Sequence, residues 1–490
     1  MTNSFVTPDF PLDQYPIPVR AFIGGKYVDS ADSEKHTLIS SVNDAVVTTE
    51  LQWSNSNDVD QTVDAAEEGY KAWQAMDDKA RRDALIKYGQ LIRNNRAQLH
   101  WLEAILTGKE IGFCNFEVDL AAELFTYNAN LIESVNGEVL VSTDDALKYT
   151  LHQAWGVCVG IVPFNSPIIT MAMKLAPALA CGNVMIIKTS EVNPLSTLYM
   201  ASLANEAGIP AGVINCLTGG AEAGEALAAH MRVRKISFTG SVEVGRRVQM
   251  ASARSNLKSV TLELGGKSPV TVFADADIEK AVAGIMTFLV MNGQGCVLGT
   301  RVYVHELIAD DVITRVKAVA EAHVSTLCGS PFSESTVSSP LYNHRQRETV
   351  LSYIKSGKAE ATLLCGGSSV GTKGCYVQPT VFVDPSPDAR ILRDEIFGPV
   401  LVISRFRTEE EALRLANDSE FGLAASLYTR DITRAMRFSR LLEAGSVQVN
   451  GVGLPSPKVP LTGWKQSGQG IENGREGLMD WVQTKVVSLC

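Results

Sequence analysis

Between Gly156 and Thr261 short apolar runs alternate with segments of helical spacing, and this alternation restricts the chain more than any other feature. The runs Val157 to Val162, Val184 to Lys188, Gly212 to Leu217 and Lys235 to Phe238 read as strands, with helices near Ile168 to Leu179 and Ser196 to Ala207. Strands that are apolar throughout and separated by helices predict a parallel sheet covered on both faces. A second alternating series follows Gly265, through Val270 to Phe273, Arg301 to Val304, Val377 to Val383 and Val400 to Ser404. Two such series fit a length of 490 residues, since a single core stops growing near roughly 250 to 300 residues. The fold class is therefore α/β, in at least two parts, with the boundary at the paired glycines Gly265 and Gly266.

The flanking segments read differently. Ala21 to Val28 surrounds the turn pair Gly24 and Gly25, and Val46 to Trp53 alternates apolar with polar, both as edge strands. Helical spacing runs from Asn57, a candidate N-cap, to Glu133. Glu138 to Ser142, Lys148 to Trp155 and Thr484 to Leu489 predict paired strands at an outlying position, suited to an arm that reaches another subunit.

Composition excludes several classes of function. Hydrophobic residues make up 45% and charged residues 20% of the chain, so a large core forms and little is disordered. A net charge of −10 argues against nucleic acid as a partner. No apolar run approaches the roughly 18 residues of a membrane span. Nine cysteines, an odd number without C-x-x-C pairs, predict a reducing compartment, the cytoplasm by default, and no metal site.

Three short segments carry the chemistry. In Asn292-Gly293-Gln294-Gly295-Cys296, glycines on both sides of a glutamine leave the sulfur uncrowded, so Cys296 is a candidate nucleophile. Thr261-Leu262-Glu263-Leu264-Gly265-Gly266-Lys267 sets a carboxylate at the end of an apolar strand. Leucine neighbours there raise its pKa towards that of a useful base. In Pro163-Phe164-Asn165-Ser166-Pro167 two prolines restrict the loop, which suits the Asn165 amide to donating to a developing oxyanion.

Together, in this order and separation, these segments resemble the aldehyde dehydrogenase superfamily over nearly the whole chain. Further matches are Phe238-Thr239-Gly240-Ser241 with Gly245, Lys188-Thr189-Ser190-Glu191, Glu395-Ile396-Phe397-Gly398-Pro399 and Lys465-Gln466-Ser467-Gly468. The resemblance implies a Rossmann-type dinucleotide domain over residues 1–133 and 154–264, an α/β catalytic domain over 265–456, and a small β oligomerisation arm over 134–153 and 476–490. It implies that an aldehyde is oxidised to a carboxylic acid by a homodimer or homotetramer. Cys296 is then the nucleophile, Asn165 and the Cys296 N–H stabilise the oxyanion, and Glu263 activates water against the thioester. Lys174 and Glu472 match positions linked to a proton relay, although Ile471 stands where many relatives carry arginine.

The same resemblance places the pyrophosphate of a dinucleotide at the helix after Gly240, with Ser241 adding a hydroxyl and Gly220 and Gly224 near the adenine. Ile161, Phe164, Ser190, Phe238, Thr239, Leu264 and Gly265 complete that site. Lys188 and Glu191 would bind the adenosine ribose, and a carboxylate there repels a 2′-phosphate, so NAD is favoured with NADP still open. Glu395 would hold the nicotinamide ribose and Phe397 would pack beside the ring.

Ser166, Thr170 and Met173 recur at helical spacing after Asn165 and should face the aldehyde. With Gly295 and Val297 beside the nucleophile and Leu454 and Leu461 at the far end, they predict a roomy uncharged tunnel for a bulky apolar or aromatic aldehyde. The segment Leu454 to Thr462 departs from the common family form. Alternatives are a CoA-acylating relative, which Glu263 speaks against, a non-catalytic dinucleotide-binding structural protein, and a cysteine hydrolase, for which none of the seven histidines offers a signature.

Overall fold

Val184–Lys188 is buried at every position, as are Val157–Ile161 and Ile214–Leu217, which is what strands covered on both faces require. They belong to the first of two large sheets in the computed structural model, which describes residues 8–143, 145–323, 329–453 and 455–489. Along this eight-stranded sheet the strands run Lys26–Val28, Ala21–Ile23, Ile214–Leu217, Val184–Lys188, Val157–Ile161, Lys235–Thr239, Ser259–Glu263 and Gly468–Gln469. The central five are parallel.

Chain order reverses between Val157–Ile161 and Lys235–Thr239, because later strands add on one side up to Ile214–Leu217 and on the other afterwards. Such a switch point opens a crevice beyond the carboxyl ends of the two strands. The loops that leave those ends contain Asn165 and Gly240-Ser241.

The second sheet has seven strands, in the order Thr362–Cys365, Thr380–Val383, Val400–Phe406, Gly299–His305, Ser268–Val272, Ala424–Tyr428 and Ser446–Val449. All but the Thr362–Cys365 edge pair are parallel. Residues 264–267 join Ser259–Glu263 of the first sheet directly to Ser268–Val272 of the second. The carboxyl edge of one sheet therefore meets the amino edge of the other.

A separate three-stranded sheet pairs Val482–Leu489 with Leu147–Ala154, and the latter with Val139–Ser142. Just before it, Leu478 and Trp481 pack into the core of the first sheet. None of the helices among the described residues is long and apolar enough to cross a membrane.

The expected N-cap at Asn57 moves to Asn55. Its side chain accepts from the Asn57 and Asp58 amides at 2.9 and 3.2 Å, and Asp58 accepts from the Asn55 amide at 2.9 Å. This reciprocal pair satisfies free amides at the start of Ser56–Gln74, which a cap two residues later leaves open.

That helix packs over the first sheet and, at Gly69, passes the backbone just before Ile214–Leu217, where an added Cβ would lie 2.5 Å from the Val213 backbone nitrogen. Gly69→Ala gains helix propensity worth up to about 1 kcal/mol, but the clash is with backbone, which cannot rotate away. Overpacking of this kind costs about 1–3 kcal/mol, so the net effect is a lower thermal unfolding midpoint, read by differential scanning fluorimetry.

Candidate active site at the junction of the two sheets

Asn165 leaves the crevice on a loop bounded by Pro163 and by Pro167, which occupies the first turn of the helix Pro167–Ala180. Its Nδ2 donates to the Gln294 carbonyl at 2.8 Å, two residues before Cys296. An amide nitrogen carries two hydrogens, so this bond aims Asn165 at the cysteine loop and leaves the second hydrogen available.

The cysteine loop is held by its glutamine. Gln294 Nε2 donates to the carbonyls of Met291 at 2.9 Å and Pro340 at 3.0 Å, and its Oε1 accepts from the Tyr342 amide at 3.0 Å. Met291 and Asn292 both have left-handed backbones, with φ of 49° and 53°, conformations that cost a non-glycine residue about 1–2 kcal/mol each. They turn the chain out of a short helical stretch and into the loop that presents Cys296.

The Cys296 thiol is raised well above its ordinary range, by burial first and then by the carboxylates of Glu263 and Glu395. It therefore rests protonated. Glu263, buried at the end of Ser259–Glu263, has its pKa pushed up to about 8, by burial and then by the Glu472 carboxylate. Lys174 opposes that rise, and the thiol interacts with the Glu263 side chain directly. Glu263 Oε1 is buried with no hydrogen-bond partner. A thiol and a carboxyl of high proton affinity, in contact, form a donor and acceptor for one proton.

Behind Glu263, Lys174 Nζ donates to Glu472 at 2.6 Å, Thr239 at 2.8 Å and Ser237 at 3.0 Å. Ser237 Oγ donates to the same Glu472 oxygen at 2.9 Å. Thr239 sits opposite Glu263 in the parallel register. The sequence-derived candidates Lys174 and Glu472, 298 residues apart, thus form one buried ion pair. Ser237 and Thr239 were not legible as its partners, because nothing local marks a strand hydroxyl that faces a lysine on another element.

Glu395 lies on the other side. Its Oε1 accepts from the Gly266 amide at 3.0 Å, and burial pushes its pKa up to about 7, against the Gly266 bond and Lys267. The Gly265 backbone faces the Glu395 carboxylate and that of Gly266 faces the Cys296 carbonyl so closely that neither position has room for a Cβ. Phe397, at φ 54°, meets Phe164 edge-on at 5.8 Å, and Phe164 lies against Tyr342 at 3.7 Å. Tyr342 had no signal in the sequence.

At the crevice, Ser241 caps the helix Val242–Arg254 by accepting from the Val244 amide at 3.4 Å. Gly245 lets that helix approach Leu264. Ile161 and Phe238 are buried strand residues whose ends line the opening, and Ser190 is buried beside Lys188. Lys188 Nζ is 3.6 Å from Glu191, whose side chain is 48% exposed. Burial lowers the Lys188 pKa, and Glu191 opposes the change. Gly220 faces the Trp53 ring, and nothing lies within 4 Å of a Cβ placed at Gly224.

Thr170 and Met173 are buried, and Ser166 Oγ lies 3.7 Å from the Met291 sulfur. Gly295 and Val297 are half-buried. Leu461 pairs with Glu472 through both backbone bonds, at 2.7 and 2.9 Å, and packs on the first core. Leu454 lies outside the described residues.

The sequence profile of the aldehyde dehydrogenase family matches residues 27–487. An aldehyde dehydrogenase of Aspergillus niger is 38% identical over 492 residues, covering 99% of this chain and 98% of its own. Human retinal dehydrogenase 2 is 41% identical over 448 residues, covering 90% of this chain and 86% of its own. Among solved structures, a mutant indole-3-acetaldehyde dehydrogenase of P. syringae, in complex with NAD+ and IAA, superposes with a TM-score of 0.94 at 34% identity, over 98% of both chains.

The raised thiol predicts that iodoacetamide alkylates Cys296 slowly through the ordinary thiol range near about pH 8.5, with a rate that keeps climbing above it. Glu263→Gln removes the neighbouring negative charge and shifts that climb to lower pH. Peptide mapping by mass spectrometry follows both.

Proposed function

The chain belongs to the aldehyde dehydrogenase family, and on that premise we propose that Cys296 is the nucleophile through which it oxidises an aldehyde to the carboxylic acid with NAD. The observation that supports this most is the convergence, from three distant stretches of sequence, of the Asn165 amide, the Cys296 thiol and the Glu263 carboxyl, one of whose oxygens has no hydrogen-bond partner, on one junction.

Glu263 takes the thiol proton as Cys296 Sγ attacks the aldehyde carbon. The oxyanion that forms accepts from the free Asn165 N–H and from the Cys296 backbone N–H. Bound NAD supplies the hydride acceptor. Collapse of the adduct leaves a thioester on Cys296. Glu263 then takes a proton from the water that attacks it, and the carboxylate departs as the thiol is regenerated. Lys174 and Glu472 lie behind Glu263 and offer a route for its proton away from the thioester.

The residues fit a dinucleotide. The helix that starts at Ser241 presents first-turn amides at the switch point, where an anionic pyrophosphate is favoured. Nothing lies within 4 Å of a Cβ placed at Gly224, which leaves room there for a flat base. Glu191 beside Lys188 suits ribose hydroxyls and disfavours a 2′-phosphate. Glu395 and Phe397 would hold the nicotinamide end, with Ile161, Phe164, Phe238, Leu264 and Gly265 as the walls.

For the substrate we favour a bulky apolar or aromatic aldehyde. Thr170, Met173, Gly295 and Val297 bring no charge to the approach to Cys296. Nearby Lys109 is held between Glu103 and Glu117, which leaves it unavailable to a substrate carboxylate. The arm of residues 134–153 and 476–490, with Val139 67% and Val486 60% exposed, supports a homodimer or homotetramer. Residues 1–133 with 154–264 would form the dinucleotide domain and 265–456 the catalytic domain. The seven described cysteines are all unpaired, in keeping with the cytoplasm.

Cys296→Ala abolishes reduced-nicotinamide formation from benzaldehyde or hexanal in a spectrophotometric assay. Persistent turnover would sink the nucleophile. With wild type, kcat/KM rises as pH passes about 8 and is lost below it, since the base acts only when deprotonated. Glu263→Gln removes that limb. Succinic semialdehyde should be poorer than benzaldehyde by roughly tenfold or more, the worth of a charge-assisted bond the site lacks.

A further inference from the structure

A buried polar cluster behind Asn165 takes no part in the steps above. Lys109 Nζ lies 2.6 Å from Glu103 Oε2 and in contact with Glu117 Oε2, and all three side chains are buried. Two carboxylates share one ammonium there. Burial pushes Glu117 up to about 7, Glu103 adds to the rise and Lys109 opposes it. Such a cluster is costly to build, and its place in the fold suggests what it supports.

One side chain links it to the oxyanion loop. Asn193 Nδ2 donates to Glu103 Oε2 at 3.0 Å and to the Phe164 carbonyl at 2.8 Å. Phe164 is the residue before Asn165, so both hydrogens of the Asn193 amide are committed to fixing that peptide against the cluster. On the far side of Asn165, the helix Pro167–Ala180 begins without a side-chain cap. The Ile169 amide in its first turn interacts with the Glu117 carboxylate. A small cleft lined in part by Lys109, Asn165, Met291 and Tyr342 lies beside the loop, and the bonds made by Asn193 tie the loop down on its other side.

We propose that Asn193 is a positioning residue for oxyanion stabilisation, tying the Phe164–Asn165 peptide to the Glu103–Lys109–Glu117 cluster so that the Asn165 amide points at the cysteine loop. The inference rests on the reading of Asn165 as an oxyanion donor. A donor must lie within a few tenths of an ångström of its productive place, and a small misplacement is felt in the rate rather than in binding.

The test is a double-mutant cycle on the full-length protein, read as single-turnover formation of reduced nicotinamide with saturating NAD and benzaldehyde. Asn165→Ala alone should slow the step by about 10² to 10³. Asn193→Ala should slow it by about 10- to 100-fold with KM little changed, and should add nothing in the Asn165→Ala background. Cys296 alkylation by iodoacetamide should be unaffected by Asn193→Ala. Equal losses in both backgrounds, a wild-type rate for Asn193→Ala, or altered alkylation would overturn the proposal and leave the Asn165 reading intact. A wild-type rate for Asn165→Ala would overturn both. If Asn193→Ala does not fold, Asn193→Ser, which keeps one donor and leaves a smaller void, goes through the same cycle. A smaller loss with the same non-additivity supports the proposal, and additivity defeats it.

Discussion

Residues 264–267 carry the chain straight from the carboxyl end of one parallel sheet to the amino end of another, and the rest of the site depends on that short crossing. It sets Glu263 at the end of the first sheet and brings the loop before Gly299–His305, with Cys296, against it. Gly265 and Gly266 are required by close approach, to the Glu395 carboxylate on one side and the Cys296 carbonyl on the other. A Cβ at either position would push apart the groups whose contact makes the chemistry.

The electrostatics follow from where this crossing lies. Glu263, Glu395, Glu472 and the Cys296 thiol are gathered where little water reaches, with Lys174 as the cation that contacts them through Glu472. Taking a charge out of water costs several kcal/mol, so the groups without a close counter-charge respond by holding protons. That is why Glu263 and Glu395 have raised proton affinities, whereas Glu472 is paired at 2.6 Å with Lys174.

Strain is concentrated in the cysteine loop. Two consecutive non-glycine residues in left-handed conformations cost about 1–2 kcal/mol each, of the same order as the net worth of the three bonds made by Gln294, about 1 kcal/mol each. The loop keeps its shape because those bonds run to Met291, Pro340 and Tyr342, and so couple it to a segment some fifty residues later in the chain, 46 to Pro340 and 48 to Tyr342. Gly295, by contrast, has no left-handed backbone, but a Cβ there would meet the Leu298 side chain at 2.9 Å.

Much of this was legible in the sequence for local reasons. Uniformly apolar strands separated by helices imply parallel sheets whatever the tertiary context, and glycines beside Glu263 and Cys296 mark close approaches because only glycine tolerates them. The turn at Gly24 and Gly25 and the outlying paired strands were accessible in this way, whereas Asn165, Glu263 and Cys296 stood out through the family motifs that contain them. The cap at Asn55 was missed by two residues, since asparagine capping depends on which amide its oxygen reaches. Partners distant in sequence were beyond local reading: Thr239 and Ser237 on Lys174, Tyr342 on Gln294, and Asn193 bridging Glu103 to the Phe164 carbonyl. Each is a polar residue unremarkable in its own stretch, and only the packing of separate elements decided that its hydrogen bond would be made within the protein rather than to water.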